Sequence, residues 1–561
     1  MTYQDLATIS ERYFEQKMAA EPFTATMFGV PGFDDQVGDP SRAGDERRLA
    51  ELEETARALS AIDPSGLTGQ DRITYAMLGL LIKNERADIA GRTHELTVSA
   101  GITGVHTGIL SSMPATPLPT PRRAADYLTR LRALEGFFDA VLERYRQAGR
   151  EGRHQVARSV RQAIEQLDGY LATDVAADPL LQPAPDDDWR AEAQKIVAEH
   201  VRPALARWRT AFAEEFLPVA RDDARVGICH VPGGTEAYLA AARSHTTTDL
   251  TPEEIHQIGL DVITRLREEF SEIGGRALGT SDADEVMAAL RTDLALRFET
   301  ADEIVASATD ALARANAALA DWFLPYDIAP CEVREIPALA AKDSVLAYYS
   351  PPAADGSRPG IHWINTYDPP SRARFEYEAL AFHESVPGHH LQLAVSQTLD
   401  DLPAFRRFGH ITAFGEGWGL YTERLTDEMG LYSTDLTRLG MLSFDAWRAC
   451  RLVVDTGMHH LGWSRERAVQ FMRDNSAASE SNINNEIDRY IAWPGQALAY
   501  MIGRLRILEL RSYAEAELGE GFDVKEFHHR VLSSGSVPLD TLGQIVEEWV
   551  ASGGAKPVSQ A

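Results

Sequence analysis

Cysteine is nearly absent from this chain: Cys229, Cys331 and Cys450 are the only three in 561 residues, and they lie far apart. A set so sparse and odd in number excludes a disulfide framework and a cysteine-ligated zinc site. Positive charge is also scarce. Lys and Arg number 55 against 84 Asp and Glu, a formal net charge of −29. Nucleic acid and anionic membranes need a basic patch, so neither is expected as a partner. No run approaches the roughly 18 uncharged apolar residues that mark a bilayer span. Met1-Thr2-Tyr3-Gln4-Asp5 carries neither a basic nor an apolar leader region. No internal repeat is present, and low complexity is confined to the polar tail after Gly553. These absences leave a reduced, cytoplasmic, globular protein large enough for two or three lobes.

Most of the chain shows helical periodicity. Leu6, Ile9, Tyr13 and Met18 mark an amphipathic first helix, and Leu128, Leu131, Leu134, Phe138, Val141 and Leu142 mark another. Thr251-Pro252-Glu253-Glu254 puts proline just inside a helix start, and alanine-rich helical runs fill 283–320. Residues 174–188, with Pro179, Pro183, Pro185 and three consecutive aspartates, read as a surface loop and the best candidate boundary in the first half. Ser344–Ser350 and Ile361–Thr366 read as strands around a Pro/Gly turn. The expected architecture is mainly α: a large multi-helix scaffold with a helical N-terminal lobe over 1–240 and a catalytic helical lobe over 241–561. The second lobe carries a small β-hairpin or sheet at about 344–367, just before a histidine-bearing helix.

That helix is predicted over 371–393, and it contains His383-Glu384-Ser385-Val386-Pro387-Gly388-His389-His390. A His-Glu pair followed by another histidine is a common way to bind zinc beside a general base, but the intact motif places the second histidine at i+4. Here that position is Pro387. On a regular helix His389 would lie about 240° round from His383, and His390 about 10.5 Å further along nearly the same face. Proline cannot donate to the His383 carbonyl and glycine tolerates the resulting distortion, so a broken turn could bring His389 round to the metal. His389 is preferred to His390 as second ligand. For the third, Glu416 stands between Gly415 and Gly417 near a predicted helix start, and Glu423 follows two turns later on the same face. Glu416 is assigned to the metal, because zinc peptidases with two histidines on one helix often take a glutamate from the next. Glu423 is assigned a supporting role behind a ligand.

The strings HESVPGHHLQ (383–392), EGWGLYTE (416–423), DTGMHHLGW (455–463) and EIDRYIAWPGQALAY (486–500), with GICHVPGG (227–234) and YYSPPAADGSRPG (348–360), together resemble the bacterial DUF885 family over most of the chain. That family is similar to distant gluzincin metallopeptidases, with HExxPGH in place of HExxH. The resemblance implies a mostly helical fold with its site in a cleft.

The chemistry expected is that of a peptidase with one zinc ion per chain, acting on short peptides or other amides, with Glu384 as general base. Tyr490 or His459 is the candidate oxyanion donor, and His460 has a similar claim. Arg448, Arg451 and Arg489 are spaced to reach a common pocket and bind a substrate carboxylate, although pairing with the protein's own carboxylates competes. Two other readings stand beside this one. A di-iron or di-manganese protein would use Glu253-x-x-His256 and Glu526-x-x-His529. A non-catalytic peptide-binding protein on a degenerate peptidase scaffold would explain Pro387.

Overall fold

The computed structural model describes residues 3–101, 103–336, 341, 345–352 and 358–554. The protein is mainly helical, as the periodicity predicts, with one small sheet. No helix among the described residues is long and apolar enough to cross a membrane. Two compact units divide the chain. The first comprises Met1–Ala241 with Gly457–Ala468 and Asn485–Pro494; the second comprises Ala242–Thr456, Val469–Asn484 and Gly495–Ala561.

In the first unit, helix α1 (Pro121–Arg150) begins where the Thr120 hydroxyl accepts a hydrogen bond from the Arg123 N–H and Pro121 enters the first turn. Its apolar residues recur every three or four positions, so Tyr127, Leu131, Leu134, Phe138, Val141, Leu142 and Tyr145 form one buried stripe. The stripe shares a core with α2 (Ala157–Ala172) and α3 (Arg202–Ala211), and Leu128 lies at its rim. Buried aromatic polar ends are met: Trp208 Nε1 donates to the Phe138 carbonyl, and the Tyr127 hydroxyl to that of Leu180. Residues 174–188 differ from the expected surface loop. They form short helical turns whose Leu180 and Leu181 are fully buried in this core. Asp174 and Asp178 cap those turns by accepting from the N–H two residues on, which is why an Asp/Pro-rich stretch can fold inward.

In the second unit, α4 (Pro252–Ala277) starts with a capping box between Thr251 and Glu254. After α5 (Ala301–Trp322) come β1 (Cys331–Glu335), β2 (Ala347–Ser350) and β3 (Gly360–Ile364), in the sheet order β1-β3-β2. The β2–β3 pair is antiparallel, as predicted; β1, which adds a parallel partner to β3, was not anticipated. Ser344, residues 353–357 of the predicted turn and the tail beyond 554 lie outside the described residues. Next come α6 (Tyr377–Glu384), α7 (His389–Gln397), α8 (Thr412–Glu428), α9 (Asp435–His459), whose last residues from Gly457 belong to the first unit, and α10 (Ala499–Leu518). Helix α8 is buried on nearly every side. Bare backbone makes this possible, since a Cβ on Gly417 would lie 2.6 Å from the Gly503 main chain of α10.

Candidate metal centre

The predicted helix over 371–393 is two helices. Helix α6 ends at Glu384, and α7 begins at His389. Ser385 starts the break: its N–H and its hydroxyl both donate to the Ala381 carbonyl, at 2.8 and 2.5 Å, while its backbone leaves the helical region. The Val386–Pro387 bond is cis. Gly388 then folds against the end of α6 so closely that a Cβ there would overlap the Phe382 and His383 carbonyl oxygens. Only glycine fits that approach. The Pro387 carbonyl accepts from Trp418 Nε1 at 2.9 Å, which ties the turn to α8. The two imidazoles thus come from the last turn of one helix and the first residue of the next, rather than from one helical face. Their ring centroids are 4.6 Å apart and nearly perpendicular.

Helix α8 supplies the third group. Glu416 Oε2 lies 3.6 Å from His383 Nε2 and 3.5 Å from His389 Nε2. One donor atom from each of His383, His389 and Glu416 falls within 4.8 Å of the others, and no other such trio exists among the described residues. Gly419, one turn beyond Glu416, makes room for the ring: a Cβ there would stand 2.7 Å from His383 Cε1. One turn further, fully buried Glu423 accepts from His383 Nδ1 at 2.8 Å. That bond fixes the tautomer and leaves Nε2 facing the trio. Arg448 Nη2 stands 3.9 Å behind Glu423 Oε1. Burial by itself would lower the pKa of His383, but the carboxylates of Glu416 and Glu423 outweigh it and raise the value to about 9. Burial would raise that of Glu416, but His383 and His389 outweigh it and hold it well below the usual carboxylate range. This pocket therefore favours positive charge. Glu384 is partly exposed, and no hydrogen bond or ion pair holds its carboxylate among the described residues.

His390, the alternative second ligand, is committed elsewhere. Its Nδ1 is 2.8 Å from the Tyr349 hydroxyl of β2, and burial pushes its pKa down to about 4. The anticipated oxyanion donors, His459 and Tyr490, make the following hydrogen bonds. His459 belongs to the first unit, where its Nδ1 accepts from the Ile228 N–H at 3.2 Å and its Nε2 donates to the Tyr490 carbonyl at 3.0 Å. Both nitrogens are spent on main chain. Tyr490, also in the first unit, donates its hydroxyl to Glu486 at 2.5 Å. The three arginines also have partners of their own. Arg489 pairs with Glu486, while Arg448 and Arg451 of the second unit stack on Trp447. His460 lies in the first unit, stacked on Tyr238. Neither Glu253-x-x-His256 nor Glu526-x-x-His529 joins a trio of donors among the described residues; His256 instead meets the Thr456 hydroxyl at 2.8 Å.

Sequence reasoning missed His362 of β3, a buried imidazole near this site. Its signal was a lone histidine in an otherwise apolar strand, Ile361-His362-Trp363-Ile364.

The family described as "Bacterial protein of unknown function (DUF885)" matches residues 22–546. The chain belongs to the DUF885 family. Two solved structures resemble this DUF885 protein along their whole length. One is described as "the putative lipoprotein from Colwellia psychrerythraea"; it is 28% identical, with a TM-score of 0.90, over 98% of this chain and 99% of that one. The other, described as "a putative lipoprotein of unknown function from Shewanella oneidensis", is 19% identical with a TM-score of 0.78, over 97% and 99%. At that identity the second likeness concerns the fold alone. No curated protein matches the chain.

Proposed function

We propose that this DUF885 protein is a zinc-dependent hydrolase of short peptides, gluzincin-like in the order of its groups: His383 and Glu384, then His389, then Glu416. The observation that carries the reading is the convergence of three donors, from the end of α6, the start of α7 and the middle of α8, to within 4.8 Å. Two imidazoles and one carboxylate are the donor set of a catalytic zinc site that keeps a fourth position open. The donor chemistry fits, and Gly419 provides the space that His383 needs. When bound, the ion would lower the pKa of a water toward neutrality and polarise a substrate carbonyl.

The chain's own residues divide the remaining work. Glu423 holds the Nδ1 proton of His383 and so orients the ring. Glu384 follows His383 directly in the chain, and its carboxylate, unpaired among the described residues, is the group available to take a proton from the attacking water and return it to the leaving amine. Net charge and composition favour a peptide over a polyanion. Metal analysis and peptide digestion test the reading together. One zinc per chain and chelator-sensitive cleavage are the expected results. Failure to retain zinc after zinc is supplied would overturn it in favour of a binding protein, and two irons per chain would favour the di-metal reading.

The compartment is a separate proposal. Three free, dispersed cysteines favour the cytoplasm, whereas the description of the Colwellia structure as "the putative lipoprotein" favours the cell envelope. Recovery of the native protein in the membrane fraction of its own host would overturn the cytoplasmic proposal.

A further inference from the structure

Among the described side chains around the proposed site, one buried imidazole has no hydrogen-bond partner. His362, at the centre of β3, is fully buried, and neither Nδ1 nor Nε2 has a hydrogen-bond partner among the described residues. A neutral imidazole carries one N–H donor and one acceptor, and buried polar groups are rarely left unmet without a reason. Alanine or valine would fill a strand position of this kind at no such cost.

Strand geometry decides where the ring points. Gly360 and His362 are two residues apart on β3 and so share a face. A Cβ on Gly360 would lie 2.5 Å from His390 Nδ1, so this face lies against the first turn of α7. Directly across the ladder from His362 is Tyr349, whose hydroxyl meets the same His390 nitrogen. His389, the candidate ligand, is the next residue back along α7. Burial first, and then the charge on His383, hold His362 neutral with a pKa of about 4, which also makes His383 an electrostatic neighbour. The unpartnered ring thus lies on the face of the sheet that packs against the first turn of α7, the turn that begins with His389.

We propose that His362 is a further catalytic residue, whose ring N–H donates to the carbonyl oxygen of the peptide bond being cleaved. This inference rests on the metallohydrolase reading. A donor held dry and unpaired before substrate arrives has no hydrogen bond to break and no water to shed when charge develops on that oxygen. Both ring nitrogens are closed to water here, so substrate entry has to part the side chains over them. The oxyanion-donor role that sequence offered to Tyr490 or His459 is here assigned to a residue of the β segment.

The test is His362→Phe, compared with wild type in zinc content, melting temperature, peptide cleavage and calorimetric affinity for a phosphinic tripeptide, a non-hydrolysable tetrahedral mimic. Expected are unchanged zinc content, an equal or higher melting temperature, kcat/KM reduced about 100-fold, and weaker phosphinate binding. If His362→Phe does not fold, His362→Gln keeps an N–H donor and is expected to fold with a smaller, roughly tenfold, loss. Wild-type cleavage and phosphinate affinity in whichever variant folds would overturn the inference and leave the hydrolase reading standing. A wild-type protein that neither holds zinc nor cleaves peptides would overturn both.

Discussion

The two units each bury a histidine against its neighbours, and the contrast between them separates a brace from a site. In the first, His459 is enclosed by main chain: the Ile228 N–H on one nitrogen, the Tyr490 carbonyl on the other and the Tyr238 ring alongside. With no carboxylate to favour its charge, burial pushes its pKa down to about 4. In the second, His383 is just as buried, but its partners are the Glu423 and Glu416 carboxylates, which raise its pKa to about 9. Both histidines rely on glycine for close packing, Gly227 against the Met458 carbonyl and Gly419 against the His383 ring. Burial is common to both sites. The charge of the partners differs, and only the second arrangement leaves a ring nitrogen facing other potential ligands.

The sharpest way to break this contrast is Glu384→Gln. The amide keeps the shape and cannot take a proton, so peptide cleavage should fall about 1000-fold while zinc content, measured by mass spectrometry of the metal, stays at wild type. Unchanged cleavage of every substrate would remove the second unit's claim to be the site. Gly419→Ala comes next. Its methyl group would meet the His383 ring at 2.7 Å, and a displacement near 1 Å at a catalytic group costs roughly 100-fold in rate. The same variant should hold zinc more weakly in a competition titration against a chelator. Glu423→Gln is the milder form of the same disturbance. It keeps an oxygen acceptor for His383 Nδ1 but removes the charge, and a loss of about 10- to 100-fold in zinc affinity is expected.

How much of this was legible in sequence follows from which interactions are local. The stripe of α1, the capping box at Thr251 and the β2–β3 hairpin depend on neighbours a few residues away, and periodicity found them. The clustering of His383, His389 and Glu416 was legible because Pro387-Gly388 signals a break and glycines flank Glu416. The single helix over 371–393 was wrong in its continuity, since Ser385 bonding back to Ala381 ends it. The strand β1, the inward folding of 174–188 and the surroundings of His459 depend on partners tens to hundreds of residues away, and no local pattern encodes them. Segments 457–468 and 485–494 show this most clearly: they follow the helices of the His/Glu cluster in sequence yet belong to the first unit.

The smallest expected effect concerns that first unit. His459→Gln removes a ring that satisfies both the Ile228 N–H and the Tyr490 carbonyl, and leaving such buried groups unmet costs about 1–3 kcal/mol in stability. Zinc content and cleavage should not change. The sign of the pH dependence follows from the depressed pKa. A group that is neutral in the fold at a pKa of about 4, against 6.5 unfolded, contributes stability that is fully present above 6.5 and is lost as pH falls toward 4. Wild type should therefore lose melting temperature over that interval, and His459→Gln should lose less of it, because glutamine has no proton to take up. His383 runs the other way. The stability contributed by its protonated form is fully present below 6.5 and is lost as pH rises through about 9, while zinc competes for its Nε2. A zinc affinity altered by His459→Gln as strongly as by Glu423→Gln would mean that the brace and the site are one energetic unit.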